Sequence, residues 1–421
     1  MVRLKGFRKL TPVDEALNKF LGAIKIGKLK TASVPLDQAL NRVLAEPIEA
    51  NDDVPRFDRS AVDGYAVRAK DTVCASQFKP GIMILSNENE IEENQAKQVW
   101  TGAPIPKGAD AVIMLENTKR VEEGIEVWAS LALGENVSRR GEDIKKGEIA
   151  VDAGVRLKPQ HLGLIAALGT ARVKVFEKPR IAILTTGNEL AEIGSKRQEN
   201  QIFDANKHVV SALCRELGAE PLDLGIAEDN LEEIVEKLRA GLVADAIITT
   251  GGTSVGASDL VPEAVNRIGK PGVLVHGVAM RPAMPTALAV ADGKPAVILS
   301  GNPVAAMIAF EVFARPLICR MLGLKKEEPR PTLKAIITRR VNTILGRRTF
   351  VRVRVHKKDE NFLADPMSAK GSGMITTMTR SNGYVVAPEN REGLEEGEAV
   401  TVHVFGSIEG FGKDVWETNV S

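Results

Sequence analysis

Between residues 179 and 324 one pattern recurs, and it limits what the chain can become. A short apolar, β-branched run ends in glycine and is followed by a helical stretch: "RIAILTTG" (180–187), "FDANKHVVSALCRELG" (203–218), "PLDLGI" (221–226), "DNLEEIVEKLRAG" (229–241) and "ADAIITTGG" (244–252). A further helix is expected after Asp259. "GVLVHGV" (272–278), "TALAVA" (286–291) and "PAVILS" (295–300) then read as strands. Asn302 precedes a last helix with Pro303 at its first position. Strands alternating with helices imply βαβ crossovers and a doubly wound, mostly parallel sheet. Ligands of such sheets bind beyond the C-terminal strand ends. Three of those ends carry glycine: "TTGNEL" (185–190), "TTGGTSVG" (249–256) and "LSGNPV" (299–304). If their strands are parallel, all three lie on one rim. Bare backbone, hydroxyls and helix N-termini there would suit an anion. The spacing is neither that of a P-loop nor that of a dinucleotide fingerprint.

The rest of the 421 residues reads differently. Thr11-Pro12-x-Asp14 suggests an N-cap, a proline at the first helical position and an acid in the first turn. Helices are expected over 12–26, 35–45 and 158–169. From Asn51 short β-branched runs alternate with glycine turns, as β structure does. After a linker, "EEPRPTL" (327–333), come four β-like runs: "LKAIITRRV", "TFVRVRVH", "GYVVAPEN" and "AVTVHVF". The expected organisation is a helical and extended domain (1–50 with 145–178), a β-rich domain (51–144), the central α/β domain (179–326), a small C-terminal β-barrel-like domain (330–406) and a tail (407–421).

Composition removes several classes of function. Fifty-six Lys and Arg against 55 Asp and Glu leave a net charge of +1, which gives no basis for nucleic acid as a partner. Cys74, Cys214 and Cys319 are far apart, and the five His are scattered, so no metal-ligand spacing appears. No apolar run is long enough to span a bilayer, and the N-terminus lacks a signal-peptide core. A cytoplasmic protein is expected.

Six segments together resemble the molybdopterin molybdenumtransferase family, which includes bacterial MoeA and the E domain of gephyrin. They are "RSAVDGYAV" (59–67), "TGAPIPKGADAVI" (101–113), "RRGEDIKKG" (139–147), "TTGNEL", "GGTSVGASD" (251–259) and "SGNPV" (300–304), in order across nearly the whole chain. The resemblance implies a molybdopterin-binding α/β domain. It also implies the last step of molybdenum cofactor synthesis, in which molybdate, or tungstate, enters adenylylated molybdopterin and AMP leaves. The family requires Mg²⁺ or another divalent cation. It works as a homodimer whose cleft lies between the α/β domain of one subunit and the β-rich domain of the other.

Carried onto these positions, Asp63, Glu189, Asp229 and Asp259 become the catalytic acids. The last three would hold Mg²⁺ on the substrate pyrophosphate, since Mg²⁺ favours carboxylate and phosphate oxygens. Thr101, Arg139, Arg140, Thr186, Gly187, Gly251, Gly252, Thr253, Ser254, Gly256, Arg281, Ser300, Gly301 and Asn302 become substrate contacts. Plainer roles stand beside these. Glu189 could be an acid of a following helix, Asp229 or Asp259 a helix N-cap, and Asp63 a turn residue before Gly64. Arg139 and Arg140 could pair with the acids next to them. The sequence departs from the family at "MRPAMPT" (280–286), where Lys-Pro-Gly-Lys-Pro is common. Arg281 keeps the first charge, Ala283 replaces glycine and Met284 replaces the second lysine. Ser300 and Ala305 replace the outer residues of a Pro-Gly-Asn-Pro-Val-Ser motif. Two other readings use part of the pattern. A molybdopterin adenylyltransferase would leave Asp63-Gly64, "TGAP" and "RRGEDI" without a role, and a gephyrin-like scaffold would not need the four acids.

Overall fold

A computed structural model of the chain describes residues 10–27, 29–252, 260–326, 328–367 and 373–408. It separates into two units, Ser33–Val175 and a larger one made of Met1–Ala32 with Phe176–Ser421. Helix α1 (Val13–Ala23) opens the larger unit. It starts one residue later than expected, with Pro12 at the N-cap. Thr11 does not cap it, because its backbone is committed elsewhere: its N–H donates to Gly277 O, and its carbonyl accepts Ala279 N–H. The helix expected over 35–45 is absent. Thr31–Pro35 is a strand, only Leu36–Gln38 makes a 3₁₀ turn, and Asn41 sits at φ +62°. The alternation "TASVP" and the proline at its end overrode the helical spacing that follows.

In the smaller unit six strands form one sheet: β1 (Gly64–Val67), β2 (Gly81–Leu85), β3 (Gln95–Val99), β4 (Ala111–Met114), β5 (Thr118–Val121) and β6 (Gly124–Val127), in the order β4-β1-β3-β2-β6-β5. Helix α2 (Pro159–Ala167) follows where "KPQHLGLIAALG" predicts it. The interior strand β1 packs too tightly for a side chain at Gly64, where a Cβ would lie 1.9 Å from Ile113 O. Gly64 is therefore a strand residue, and the Asp63-Gly64 pair is not the hairpin turn its composition allows.

The larger unit contains the doubly wound sheet. Its elements are β7 (Arg180–Thr186), α3 (Asn206–Leu217), β8 (Glu220–Ala227), α4 (Leu231–Gly241), β9 (Ala246–Thr250), α5 (Leu260–Ile268), β10 (Pro271–His276), β11 (Met280–Arg281), β12 (Ala287–Ala291), β13 (Lys294–Leu299), α6 (Pro303–Ala309) and α7 (Arg315–Met321). The sheet order is β8-β7-β9-β13-β12-β10. β8, β7, β9 and β13 are parallel, while β12 and β10 complete the sheet antiparallel to their neighbours. β7 is buried on both faces, as Ile181, Ala182, Ile183 and Leu184 all are, which is why it reads as an unbroken apolar run. α4 buries Ile234, Val235 and Leu238, the i, i+1, i+4 stripe of an amphipathic helix.

Past the linker, β14 (Thr332–Ile337), β15 (Arg348–Lys358), β16 (Asn361–Pro366), β17 (Gly383–Ala387) and β18 (Ala399–Val404) close into a five-stranded barrel, β15-β16-β14-β18-β17 and back to β15. Strand β11, from the "MRPAMPT" loop of the α/β sheet, adds to the barrel by pairing in parallel with β15.

Candidate functional site

The parallel register puts the three glycine-bearing ends side by side: Thr185 is opposite Thr250, and Thr250 opposite Leu299. β10 runs antiparallel to β12, and β12 antiparallel to β13. The C-terminal end of β10 therefore faces the same edge, and the 277–286 loop joins the rim.

At the first loop, Gly187 N–H donates to Ala227 O (3.1 Å), and Asp229 N–H donates to Asn188 Oδ1 (2.9 Å). These bonds hold the Glu189 and Asp229 segments together. No helix follows Glu189. Leu190–Ala191 is a short strand paired with Ile202–Phe203, so its role as a helix acid is excluded. Asp229 does not cap α4 either. Asn230 does, accepting from Glu232 N–H and Glu233 N–H. The local alternatives for both acids are thus removed. Both side chains are exposed, and among the described residues neither carboxylate has a hydrogen-bond or ion-pair partner. Nor do the described residues contain a group of three His, Cys, Asp or Glu placed to hold a metal ion. Thr253, Ser254, Gly256 and Asp259 lie outside the described residues.

Gly251 and Gly252 sit at φ +91° and +61°. A Cβ on Gly251 would be 2.3 Å from Thr186 O, and one on Gly252 2.5 Å from Val261 Cγ2. Both conformation and space require glycine at these two positions. The third loop approaches them: a Cβ on Gly301 would lie 3.5 Å from Gly251 Cα. Ser300 is buried and its Oγ accepts Asn302 N–H (3.3 Å). Asn206, the first residue of α3, donates from Nδ2 to Gly301 O (2.7 Å). Composition and motif spacing give no sign of Asn206. Its only sequence signal is its place at a helix start after Asp204.

Buried polar atoms are concentrated here. Thr185, Thr186, Thr249 and Thr250 hydroxyls, Asp204 Oδ2 and Asn206 Oδ1 are shielded from solvent without a hydrogen-bond partner among the described residues. Each such atom costs on the order of 1–3 kcal/mol, and native proteins leave few of them. Six of them gather at this end of the sheet.

Arg281, Met284, Arg347, Arg352 and Met367 line a cavity of about 400 Å³ where the 280–285 loop meets the barrel. Burial and the nearby Arg281 charge push the Arg352 guanidinium below its usual range. Three arginines around one cavity suit an oxyanion. Met284 belongs to this wall, with its carbonyl accepting Val278 N–H (2.9 Å). Ala283 is buried at φ +77°, a conformation that favours the glycine it replaces. No motif marks Arg347 or Arg352 in the sequence. "TFVRVRVH" displays the alternation, but only barrel closure shows what each face meets.

The remaining site residues lie in the smaller unit. Asp63 Oδ1 accepts both Thr101 N–H and Thr101 Oγ1–H, each at 2.7 Å. These two bonds, the backbone one foremost, hold the Asp63 carboxyl below the usual range. Arg139 pairs with Asp58 (3.2 Å) and Arg140 with Asp53 (2.5 Å), acids far away in sequence. Glu142 instead accepts Arg139 N–H (3.0 Å).

Residues 11–169 match the MoeA N-terminal region (domain I and II), 182–320 a probable molybdopterin binding domain, and 334–405 the MoeA C-terminal region (domain IV). The chain is 37% identical over 406 residues to a molybdopterin molybdenumtransferase of Bacillus subtilis, covering 93% of each chain. It is 36% identical over 414 residues to a putative molybdopterin biosynthesis protein of Methanocaldococcus jannaschii, covering 96% of this chain and 98% of the relative. A crystal structure of the molybdopterin biosynthesis MoeA protein from Pyrococcus horikoshii superposes with a TM-score of 0.75 at 33% identity, covering 94% of this chain and all of that one.

Proposed function

The chain belongs to the MoeA family, and on that premise we propose that it inserts molybdate, or tungstate, into adenylylated molybdopterin with release of AMP. It is a transferase of molybdenum cofactor biosynthesis, as its curated relatives are named. The observation that carries the reading is the α/β rim. Two carboxylates without a partner among the described residues, Glu189 and Asp229, share an edge with the loop that brings Arg281 into a cavity with Arg347 and Arg352. Arginine-lined space recruits the oxyanion, and carboxylates without partners call for a cation.

The donor set fits Mg²⁺, a hard cation that takes one or two carboxylates and completes its shell with substrate phosphates and water. Glu189 and Asp229 would hold it, with Asp259 as third acid. When bound it neutralises charge on the pyrophosphate and stabilises the departing AMP. Gly187, Gly251, Gly252 and Gly301 let backbone approach the substrate closely, and the Thr186 and Ser300 positions line the same edge. Arg281 orients the incoming oxyanion. Asp63 and Thr101 form a prearranged acceptor and hydroxyl, and Arg139 and Arg140 of the same unit would turn to the substrate from their pairs with Asp58 and Asp53. In this reading two copies of the chain share each cleft, so that Asp63 of one copy serves the rim of the other.

The reaction is placed in the cytoplasm. Cys74, Cys214 and Cys319 form no disulfide, which suits a reducing compartment. Among the described residues no helix is long and apolar enough to cross a membrane.

The test is reconstitution with adenylylated molybdopterin, Mg²⁺ and either oxyanion. AMP release and metal incorporation in equal amounts are expected. Binding of the adenylate with neither product, at saturating oxyanion and Mg²⁺, would overturn the assignment. Mixed dimers of Asp63→Asn and Glu189→Gln chains should regain activity that neither homodimer has, because one cleft then keeps both acids.

A further inference from the structure

The Thr hydroxyls at the rim can donate or accept, but two of the atoms there without a partner among the described residues can only accept: Asp204 Oδ2 and Asn206 Oδ1. Asp204 is 1% exposed and Asn206 7% exposed. Each has its other polar atom already committed. Asp204 Oδ1 accepts Lys207 N–H (3.1 Å) at the start of α3, and Asn206 Nδ2 donates to Gly301 O (2.7 Å). The second bond settles which end of the Asn206 amide is the oxygen. Lys207, the next residue of α3, is spent on Glu192 and Asp223. A carboxylate and an amide oxygen repel phosphate, so this end of α3 is not an anion site despite its helix N-terminus.

We propose that Asp204 and Asn206 are specificity-determining residues that read the donor edge of the pterin, its 2-amino group and adjacent ring N–H. This rests on the activity proposed above and adds an orientation to it. The heterocycle points toward α3, while the phosphates and oxyanion take the carboxylate and arginine parts of the same rim. A pair of N–H donors is the chemistry that satisfies two buried acceptors, and a site built to hydrogen-bond such donors rejects an analogue lacking them. Both oxygens are shielded from bulk solvent, so the pterin reaches them only as rim side chains shift.

The test uses the full-length protein and compares a pterin with the matching lumazine, in which oxygen replaces the 2-amino group. Both are measured by displacement of bound molybdopterin. Wild type should prefer the pterin by about tenfold or more, the value of hydrogen bonds to a charged acceptor. Asp204→Asn keeps the α3 contact but turns the acceptor into a donor, so it should erase or reverse that preference while AMP affinity stays as in wild type. Equal affinity of wild type for pterin and lumazine would overturn the proposal. So would a pterin preference retained in a folded Asp204→Asn. If Asp204→Asn does not fold, Asn206→Ala decides by the same ratio, and the wild-type preference stands as a test in itself. Failure of wild type to bind molybdopterin at all would sink the proposed activity, and this contact with it.

Discussion

The acids of the two units are in opposite states. Asp63 in the smaller unit is satisfied: one carboxylate oxygen takes two short bonds from Thr101. Glu189 and Asp229 on the α/β rim have no partner among the described residues, although backbone bonds hold their segments firmly. A carboxylate bonded by its own protein is fixed in place and keeps its charge. One left bare on a fixed backbone is available for a cation and a substrate. The difference shows that a site residue is recognised by its unspent bonding as much as by its identity.

That contrast is most directly broken by removing charge from the bare pair. Glu189→Gln and Asp229→Asn should each lower AMP release by about a hundredfold or more, the scale on which transition-state electrostatics acts. Their unfolding free energy should change by no more than about 0.5 kcal/mol, since exposed groups without partners contribute little to stability. Steady-state assay and denaturant titration check both halves. Wild-type activity in both variants would mean that bare carboxylates here signify nothing.

A charge added to the basic cavity sharpens the comparison from the other side. Met284→Lys, made with Ala283→Gly to ease the backbone, should lower the molybdate concentration for half-maximal insertion roughly five- to hundredfold, or about 1–3 kcal/mol. Without oxyanion the same variant should melt lower than wild type, because a lysine then faces Arg281 and Arg352. An unchanged half-saturation point for both oxyanions would leave Met284 a packing residue.

At Asp63 the expected effect is on titration. Its carboxyl is held low by Thr101, first through the backbone N–H and then through the hydroxyl. A folded-state value below the unfolded one contributes stability that is present above the ordinary carboxylate range and is lost as pH falls through the folded value. Thr101→Val removes only the hydroxyl and should move Asp63 part of the way back up. Carbon-detected NMR titration of the Asp63 carboxyl reads this directly. No movement would show that the backbone bond alone sets the state of Asp63.

The smallest effect concerns Ala283→Gly alone. Relief of the left-handed backbone and loss of a buried methyl oppose each other, so stability should change by about 1 kcal/mol or less. Thermal unfolding with and without molybdate checks it. A larger loss would show that the methyl group, not the backbone, matters in this loop.

Much of this protein was already legible along the chain because its signals are local. Apolar runs ending in glycine name the strands, and Gly218 marks a helix end by chemistry of a few residues' reach. The three rim loops follow from them once the strands are taken as parallel, since handedness then leaves one arrangement. The missing helix at 35–45 failed for a related reason: helical spacing is a weak signal beside a proline-ended strand. Other features needed tertiary structure because they depend on partners far apart in sequence. Asp229 is a good cap on paper, but in the fold its N–H goes to Asn188 and Asn230 accepts the Glu232 and Glu233 N–H groups in its place. Arg139 and Arg140 pair with Asp58 and Asp53 across the smaller unit, not with the acids beside them. Arg352 joins Arg281 because β11 pairs with a barrel strand about seventy residues later. Asn206 reaches Gly301 because α3 begins at the edge where β13 ends. Which polar atoms are left without partners depends on all of these contacts at once, and so it emerges only from the folded chain.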